Sequence, residues 1–204
     1  MIFEALFVFV LSLIFAFLEI EIEGKNGWGE KLPTWYKKSG LSKVYCFFNS
    51  GRPLTGYHLF MNLFIFILFH VGLVFGLVWS FALELTIVGY FFLFFLVEDF
   101  LWFVFNPHYG LKKFKKSQIW WHNKHNWVLG LFPRDYLVGV FVSAFLFWWS
   151  GSLVGNVSVL YDYLKILGLV LVCVLVSIRF VPTYHRWYKK MRKLDEKKWA
   201  GRKI

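Results

Sequence analysis

The chain has 204 residues, 58% of them hydrophobic, 23% aromatic and only 17% charged, with a net charge of +11 and a mean hydropathy of +0.55. A soluble domain is ~45–50% apolar and ~25% charged, so a water-exposed surface could not cover this much apolar side chain, whereas a bilayer can. The positive charge lies between and after the apolar runs, which suits membrane lipids with anionic headgroups as partners and argues against nucleic acid.

A membrane-spanning helix needs ~20 mostly apolar residues. The first predicted span covers 2–20, interrupted only by Glu4 and Ser12 before Glu19 at its end. It does not read as a secretory signal, because no basic stretch precedes it and no small-residue cleavage site follows. It runs into the acidic end Glu19-Ile20-Glu21-Ile22-Glu23-Gly24. A second span is predicted over 57–79, after Pro53 and Gly56, and a third over 81–105, carrying Glu84, Glu98 and Asp99. Asn106-Pro107 ends the third, since proline removes a backbone donor and disfavours helix in the residue before it. Pro133 and a candidate N-cap, Asp135, introduce a fourth span over 136–153. The fifth covers 160–181, with Arg179 near its end and Pro182 closing it.

The tail, 185–204, sets Trp187, Tyr188, Met191 and Trp199 among cations and reads as an amphipathic, leaflet-anchoring helix. The expected fold is therefore an all-α integral membrane protein. A single domain, 1–184, forms a bundle of about five transmembrane helices with interfacial loops, followed by the basic tail. Barrel strands would alternate apolar and polar residues over ~10 positions, and these runs are continuous. Cys46 lies in a basic loop and Cys173 in an apolar run, which leaves no expected disulfide and no CxxC motif.

Lysine and arginine placement sets the expected orientation. The segment 21–56 holds Lys25, Lys31, Lys37, Lys38, Lys43 and Arg52, and 106–135 holds Lys112, Lys113, Lys115, Lys116, Lys124 and Arg134. The tail holds nine more cations, from Arg186 to Lys203, while the turn near Ser80 and the segment 150–159 hold none. Five spans put all three basic segments on one side, predicting an outside N-terminus and a cytoplasmic C-terminus in a prokaryotic plasma membrane.

The strongest chemical signal is Glu98-Asp99, about 10 Å along the helix from the break at Asn106 at ~1.5 Å per residue. Acids in a membrane are costly and usually face a bundle interior, a cavity or a partner. Three readings stand: a buried ion pair with Arg179, a proton or metal site, or a helix end shallow enough to be solvated. Glu19 and Glu23 share a helix face one turn apart, and a helix C-terminus disfavours acids, so a counter-cation is expected there. His58, His108, His122 and His125 fall on the same side, and His122 and His125 are spaced to share a helix face. Neutral imidazole and carboxylate together suit iron, manganese or zinc. His70 lies deeper, with an interhelical hydrogen bond as its ordinary reading and proton relay as the functional one.

Trp120, Trp121 and Trp127 favour the interface and mark the connection 106–135 as interfacial or re-entrant. Its HNKH segment, residues 122–125, resembles a short histidine box of membrane desaturases and hydroxylases with histidine-bound di-iron. The chain lacks their HxxxH box and every HxxHH box, so membership is not inferred. No Walker loop, GxGxxG or GxSxG motif is present.

The expected function is a small membrane enzyme acting on a lipid or isoprenoid-like substrate at the cytoplasmic leaflet. Glu98, Asp99, His122 and His125 form its expected core, and Glu19, Glu23, His58 and His108 are further ligands or proton carriers. A divalent metal ion is the candidate cofactor. Lys112, Lys113 and Arg179 are the cations expected to hold a substrate headgroup. The alternatives are a proton-coupled transporter using Glu98, Asp99 and His70, and a non-catalytic scaffold using the tail.

Overall fold

The computed structural model describes residues 1–49, 51–119 and 127–199. Among the described residues, four helices are long and apolar enough to cross a membrane: α1 (Ile2–Glu23), α5 (Phe81–Phe105), α6 (Arg134–Leu153) and α7 (Ser158–Ile178). Between α1 and α5 lie α2 (Ser42–Phe48), α3 (Gly56–Phe69) and α4 (Val71–Val74), and α8 (Val181–Trp199) ends the described chain. A two-stranded clip, β1 (Tyr36–Lys37) with β2 (Leu54–Thr55), closes the loop after α1; a second, β3 (Trp127–Val128) with β4 (Phe132–Pro133), leads into α6. The helices carry large apolar side chains on their outer faces, such as Phe60, Phe64 and Ile67 on α3 and Phe141, Phe145 and Trp148 on α6. In water such rows would be an aggregation surface; against acyl chains they cost nothing.

α5 is the central helix. Leu93, Phe94, Leu101, Phe103 and Val104 are sealed from solvent along it, and α1, α3 and α6 pack around it. Cross-helix hydrogen bonds fix the relative directions. Ser12 Oγ on α1 donates to the Phe94 carbonyl (3.1 Å) and Asn106 Nδ2 donates to the Gly24 carbonyl (2.8 Å), so α1 and α5 run parallel. Ser143 Oγ donates to the Gly89 carbonyl and Ser150 Oγ to the Ala82 carbonyl, both at 2.7 Å, so α6 returns antiparallel. A Cβ at Gly89 would lie 2.6 Å from the Phe147 ring, and one at Gly139 would lie 2.6 Å from Leu96. Small residues thus set the close approach of α5 and α6, as expected where packing rather than water drives helix association. Tyr163 of α7 stacks on Phe147 at 4.6 Å, and α7 closes the ring against α1.

These directions bring the chain out at one end of the bundle for all three basic segments: after α1, after α5 and after α7. α8 docks at that same end. Tyr184 stacks on Phe17 (4.8 Å between centroids), and the His185 ring Nε2 hydrogen-bonds the Phe105 carbonyl (2.9 Å).

The predicted second span, 57–79, is not one helix. α3 ends at Phe69 after 14 residues, about 21 Å at ~1.5 Å per residue, short of the ~30 Å hydrocarbon thickness. The break is a polar knot at His70. Its Nδ1 meets the Phe66 carbonyl at 2.7 Å and its Nε2 meets Glu84 Oε1 at 3.1 Å, while Trp79 Nε1 donates to Glu84 Oε2 at 3.1 Å. Gly76, at φ 107°, then turns the chain. His70 therefore belongs to the end of the bundle opposite the basic segments, as a structural link to Glu84. Asp135 is not the cap of α6. Pro133 holds that position with extended backbone because it belongs to β4, and Asp135 falls in the first turn.

Candidate carboxyl site

Glu19 and Glu23 stand one turn apart on the face of α1 that turns towards α5, with 9% and 6% exposure. Glu98, 4% exposed, and the half-buried Asp99 sit in the last third of α5. The joint between Asn106 and Gly24 holds the two helix ends level, and this register brings the Glu19 and Glu98 carboxyls side by side. Two carboxyl oxygens approach this closely only with a proton or a cation between them. Tyr57, in the first turn of α3, donates its phenol to Glu19 Oε1 at 3.2 Å, and Tyr136, in the first turn of α6, donates to Asp99 Oδ2.

The loop after α1 completes the site. Gly27, Trp28 and Gly29 all have positive φ (68°, 47° and 60°). That conformation costs glycine little, but it is strained for tryptophan. It turns the backbone N–H groups of Trp28 and Gly29 to the Glu23 carboxylate, the latter at 2.5 Å from Oε1. His58 Nε2 lies 4.0 Å from the same oxygen, with its Nδ1 held 2.7 Å from Thr55 Oγ1. The Trp28 indole stacks on the His58 ring at 4.5 Å and 25°, and the Arg52 guanidinium lies 3.7 Å from the centroid of that indole.

Arg52 is 8% exposed, and its Nε donates to the Asn49 carbonyl at 2.8 Å. Burial holds its guanidinium below the ordinary value, opposed by the charge of Asp99 first and by Tyr45, Asp135 and Tyr136 after it. Tyr45 on α2 is pushed up by burial, against Arg52 and with Glu19, Cys46 and Glu23. Among the described residues, Oε1 of Glu98, Nη1 of Arg52 and Nε1 of Trp28 are buried without a hydrogen-bond partner. Buried polar atoms are nearly always paired, so three unpaired ones around one carboxyl cluster mark a place for a polar ligand.

Five of the predicted site residues therefore come together: Glu19, Glu23, His58, Glu98 and Asp99. His108 does not join them. It is exposed on the far side of the Asn106 turn, and burial and the cations Lys25, Lys113, Arg192 and Lys189 hold its pKa down. Lys112 and Lys113 are exposed on a 3-10 turn, where Lys113 Nζ donates to the His108 carbonyl at 2.8 Å. Arg179, expected as the partner of the acid pair, is exposed at the end of α7. No ion pair joins it to Glu98 or Asp99 among the described residues. His122 and His125 lie outside the described residues. Among those described, no three His, Cys, Asp or Glu side chains form a ready ligand set for a metal. Glu19 and Glu98, already in contact, are the pair that could share an ion with further donors.

The fold defines a polytopic α-helical membrane protein, and its polar centre is a buried carboxyl cluster at the basic end of the bundle. No protein-family model, curated protein or solved structure matches the chain.

Proposed function

We propose that the chain is a small membrane enzyme whose carboxylate and histidine site, at the basic end of the bundle, acts on the polar head of a lipid or isoprenoid-like substrate. The observation that carries this reading is the Glu19–Glu98 carboxyl contact, ringed by buried polar atoms without partners. A proton shared by two carboxyls is available for general acid–base work. A divalent ion in the same place, iron, manganese or zinc, would act as Lewis acid or redox centre, with His122 or His125 supplying imidazole. Glu98 Oε1 would exchange the proton or ligate the ion. Arg52 Nη1 and Trp28 Nε1 would donate to an oxygen of the substrate head, and Asp99 with Tyr136 would hold Arg52 in place. In this reading α3 and α4 supply the fifth crossing. The basic end faces the cytoplasm of a prokaryote, and the tail and the exposed lysines attract anionic headgroups.

The test is to purify the protein in mild detergent, measure bound metal by mass spectrometry, and incubate it with membrane lipid extracts while following lipid masses. Conversion that is lost in Glu98→Gln and Glu19→Gln, in protein with unchanged melting, supports the enzyme. Proton-coupled flux in liposomes without lipid conversion would replace the enzyme with a carrier. Neither activity, in a protein without metal, would leave a scaffold.

A further inference from the structure

A groove of about 670 Å³ runs along the outside of the bundle between α1, α7 and α8, within the ~300–1,000 Å³ typical of ligand sites. On α1, Leu13 and Phe17 line it. They lie off the face that buries Ser12, Glu19 and Glu23 against the rest of the bundle, so the groove is separate from the carboxyl cluster. Val172 and Val176 form the α7 wall, both more than half exposed. α8 roofs the basic end with Thr183 and Trp187, and the stack of Tyr184 on Phe17 closes it. A chain entering from the bilayer therefore runs the length of the groove and stops beneath α8.

The rim at that end is cationic. Arg186 Nη2 donates to Thr183 Oγ1 at 3.2 Å, which places its guanidinium beside a residue that lines the groove. Arg179 is exposed immediately before the lining residue Phe180, and Lys190 is exposed one turn beyond Arg186 on α8. Among the described side chains, the acid that acts on this region is Glu21, through Tyr184 and Tyr188, against the cations Arg179, Arg186 and Lys190. We propose that this groove is a binding site for an anionic phospholipid, with one acyl chain under α8 and its phosphate on Arg186 and Arg179. An apolar groove is no better a solvent for an acyl chain than the bilayer around it, so the wall alone gives no selectivity; the arginines at the closed end do. Each cation near a headgroup is worth about fivefold in preference for an anionic lipid, so the pair gives about 25-fold over a zwitterionic lipid with the same chains.

The test is native mass spectrometry of the full chain in detergent doped with dioleoyl phosphatidylglycerol or dioleoyl phosphatidylcholine. The expected result is one retained phosphatidylglycerol with a strong preference over phosphatidylcholine. Arg179→Gln with Arg186→Gln brings the two lipids close to parity. Val176→Trp and Val172→Trp fill the groove from positions that face lipid, and each lowers phosphatidylglycerol retention at unchanged melting. Equal retention of the two lipids by the unsubstituted protein overturns the proposal. So does a preference that survives loss of both arginines, or retention unaffected by either tryptophan in variants that melt normally. None of these outcomes bears on lipid conversion at the carboxyl cluster, which is read separately.

Discussion

Asn106 is the joint on which the carboxyl site depends, and its replacement by alanine gives the most direct test of that geometry. The side chain is sealed from solvent and uses both ends: Nδ2 donates to the Gly24 carbonyl at 2.8 Å, and Oδ1 accepts from the His108 backbone N–H at 2.9 Å. Two such bonds contribute about 1 kcal/mol each, and leaving the part-buried Gly24 carbonyl or His108 N–H without its partner adds ~1–3 kcal/mol. The expected loss for Asn106→Ala is thus ~3–5 kcal/mol in reversible unfolding followed by circular dichroism in detergent. Asn106→Asp keeps the size and the acceptor but removes the donor, and it sets a carboxylate against the Gly24 carbonyl. It should therefore be as damaging as alanine. Both variants should also release α1 from its register with α5, so that Glu19 no longer meets Glu98. A loss below ~0.5 kcal/mol for Asn106→Ala would show that the helix ends are held by something else.

At the α5–α6 seam, Gly89→Val should cost ~1–3 kcal/mol in the same assay, because the first added carbon already lies 2.6 Å from the Phe147 ring; a neutral result would mean the seam has room. His185 supplies a pH dependence. Burial lowers its pKa, opposed by the Phe105 carbonyl and assisted by Lys189. The unfolded chain therefore binds the proton more readily, so docking of α8 is fully supported above about pH 6.5 and weakens as pH falls below it. Protection factors of α8 amides, which correct for the intrinsic slowing of exchange in acid, should fall between pH 7 and 5, and His185→Gln should flatten that response. For orientation, Lys37→Cys and Lys113→Cys should react with impermeant maleimide only from the cytoplasm and Ser152→Cys only from outside; labelling of Lys113→Cys from outside overturns the arrangement.

Helix boundaries were legible where a chemical break coincides with a change of hydropathy. α5 fills the predicted 81–105 because Ser80 caps its first turn and Asn106-Pro107 ends it. The run 57–79 misled because hydropathy counts side chains and does not see where their hydrogen bonds go. The His70 ring takes the Phe66 carbonyl at the end of α3, and Glu84 holds the ring from α5. Of the site, the acids were visible because a carboxylate in an apolar run is an anomaly that needs a partner, and Glu19 and Glu23 show helical spacing. The groups that surround them were not. Tyr57 meets Glu19 across 38 residues and Tyr136 meets Asp99 across 37, distances over which no local pattern operates. Arg52 was counted as one more loop cation. The local signals were the strained Gly27-Trp28-Gly29 turn and the glycine and proline that bracket Arg52, and neither says which side chains will stack.

The charge balance explains why a loop cation belongs in this site and the expected membrane cation does not. Four carboxyl groups gathered at the end of two parallel helices cannot all be ionised in a poorly solvated place, since each further charge is repelled by those already there. Protons, a bound ion or a fixed counter-charge must make up the difference. α7 could not supply the counter-charge: it packs on the side of α1 and α6 away from α3, so Arg179 emerges on the outer rim beneath α8. The loop after α1 could, because β1 and β2 bring it back to the start of α3 and carry Arg52 into the cluster on the face of Trp28. One arginine offsets one acid, and the proton or ion between Glu19 and Glu98 offsets another. Among the described residues, what is left is a cluster of acids with Arg52 as a held cation at its edge, which in the proposed function would take a proton or metal at the carboxyls and an oxygen of the substrate at Arg52. In the function proposed above, such a site would set a pair of unlike surfaces against one polar headgroup; in the fold itself, the loop between α1 and α3 is as much a part of the cluster as the helices around it.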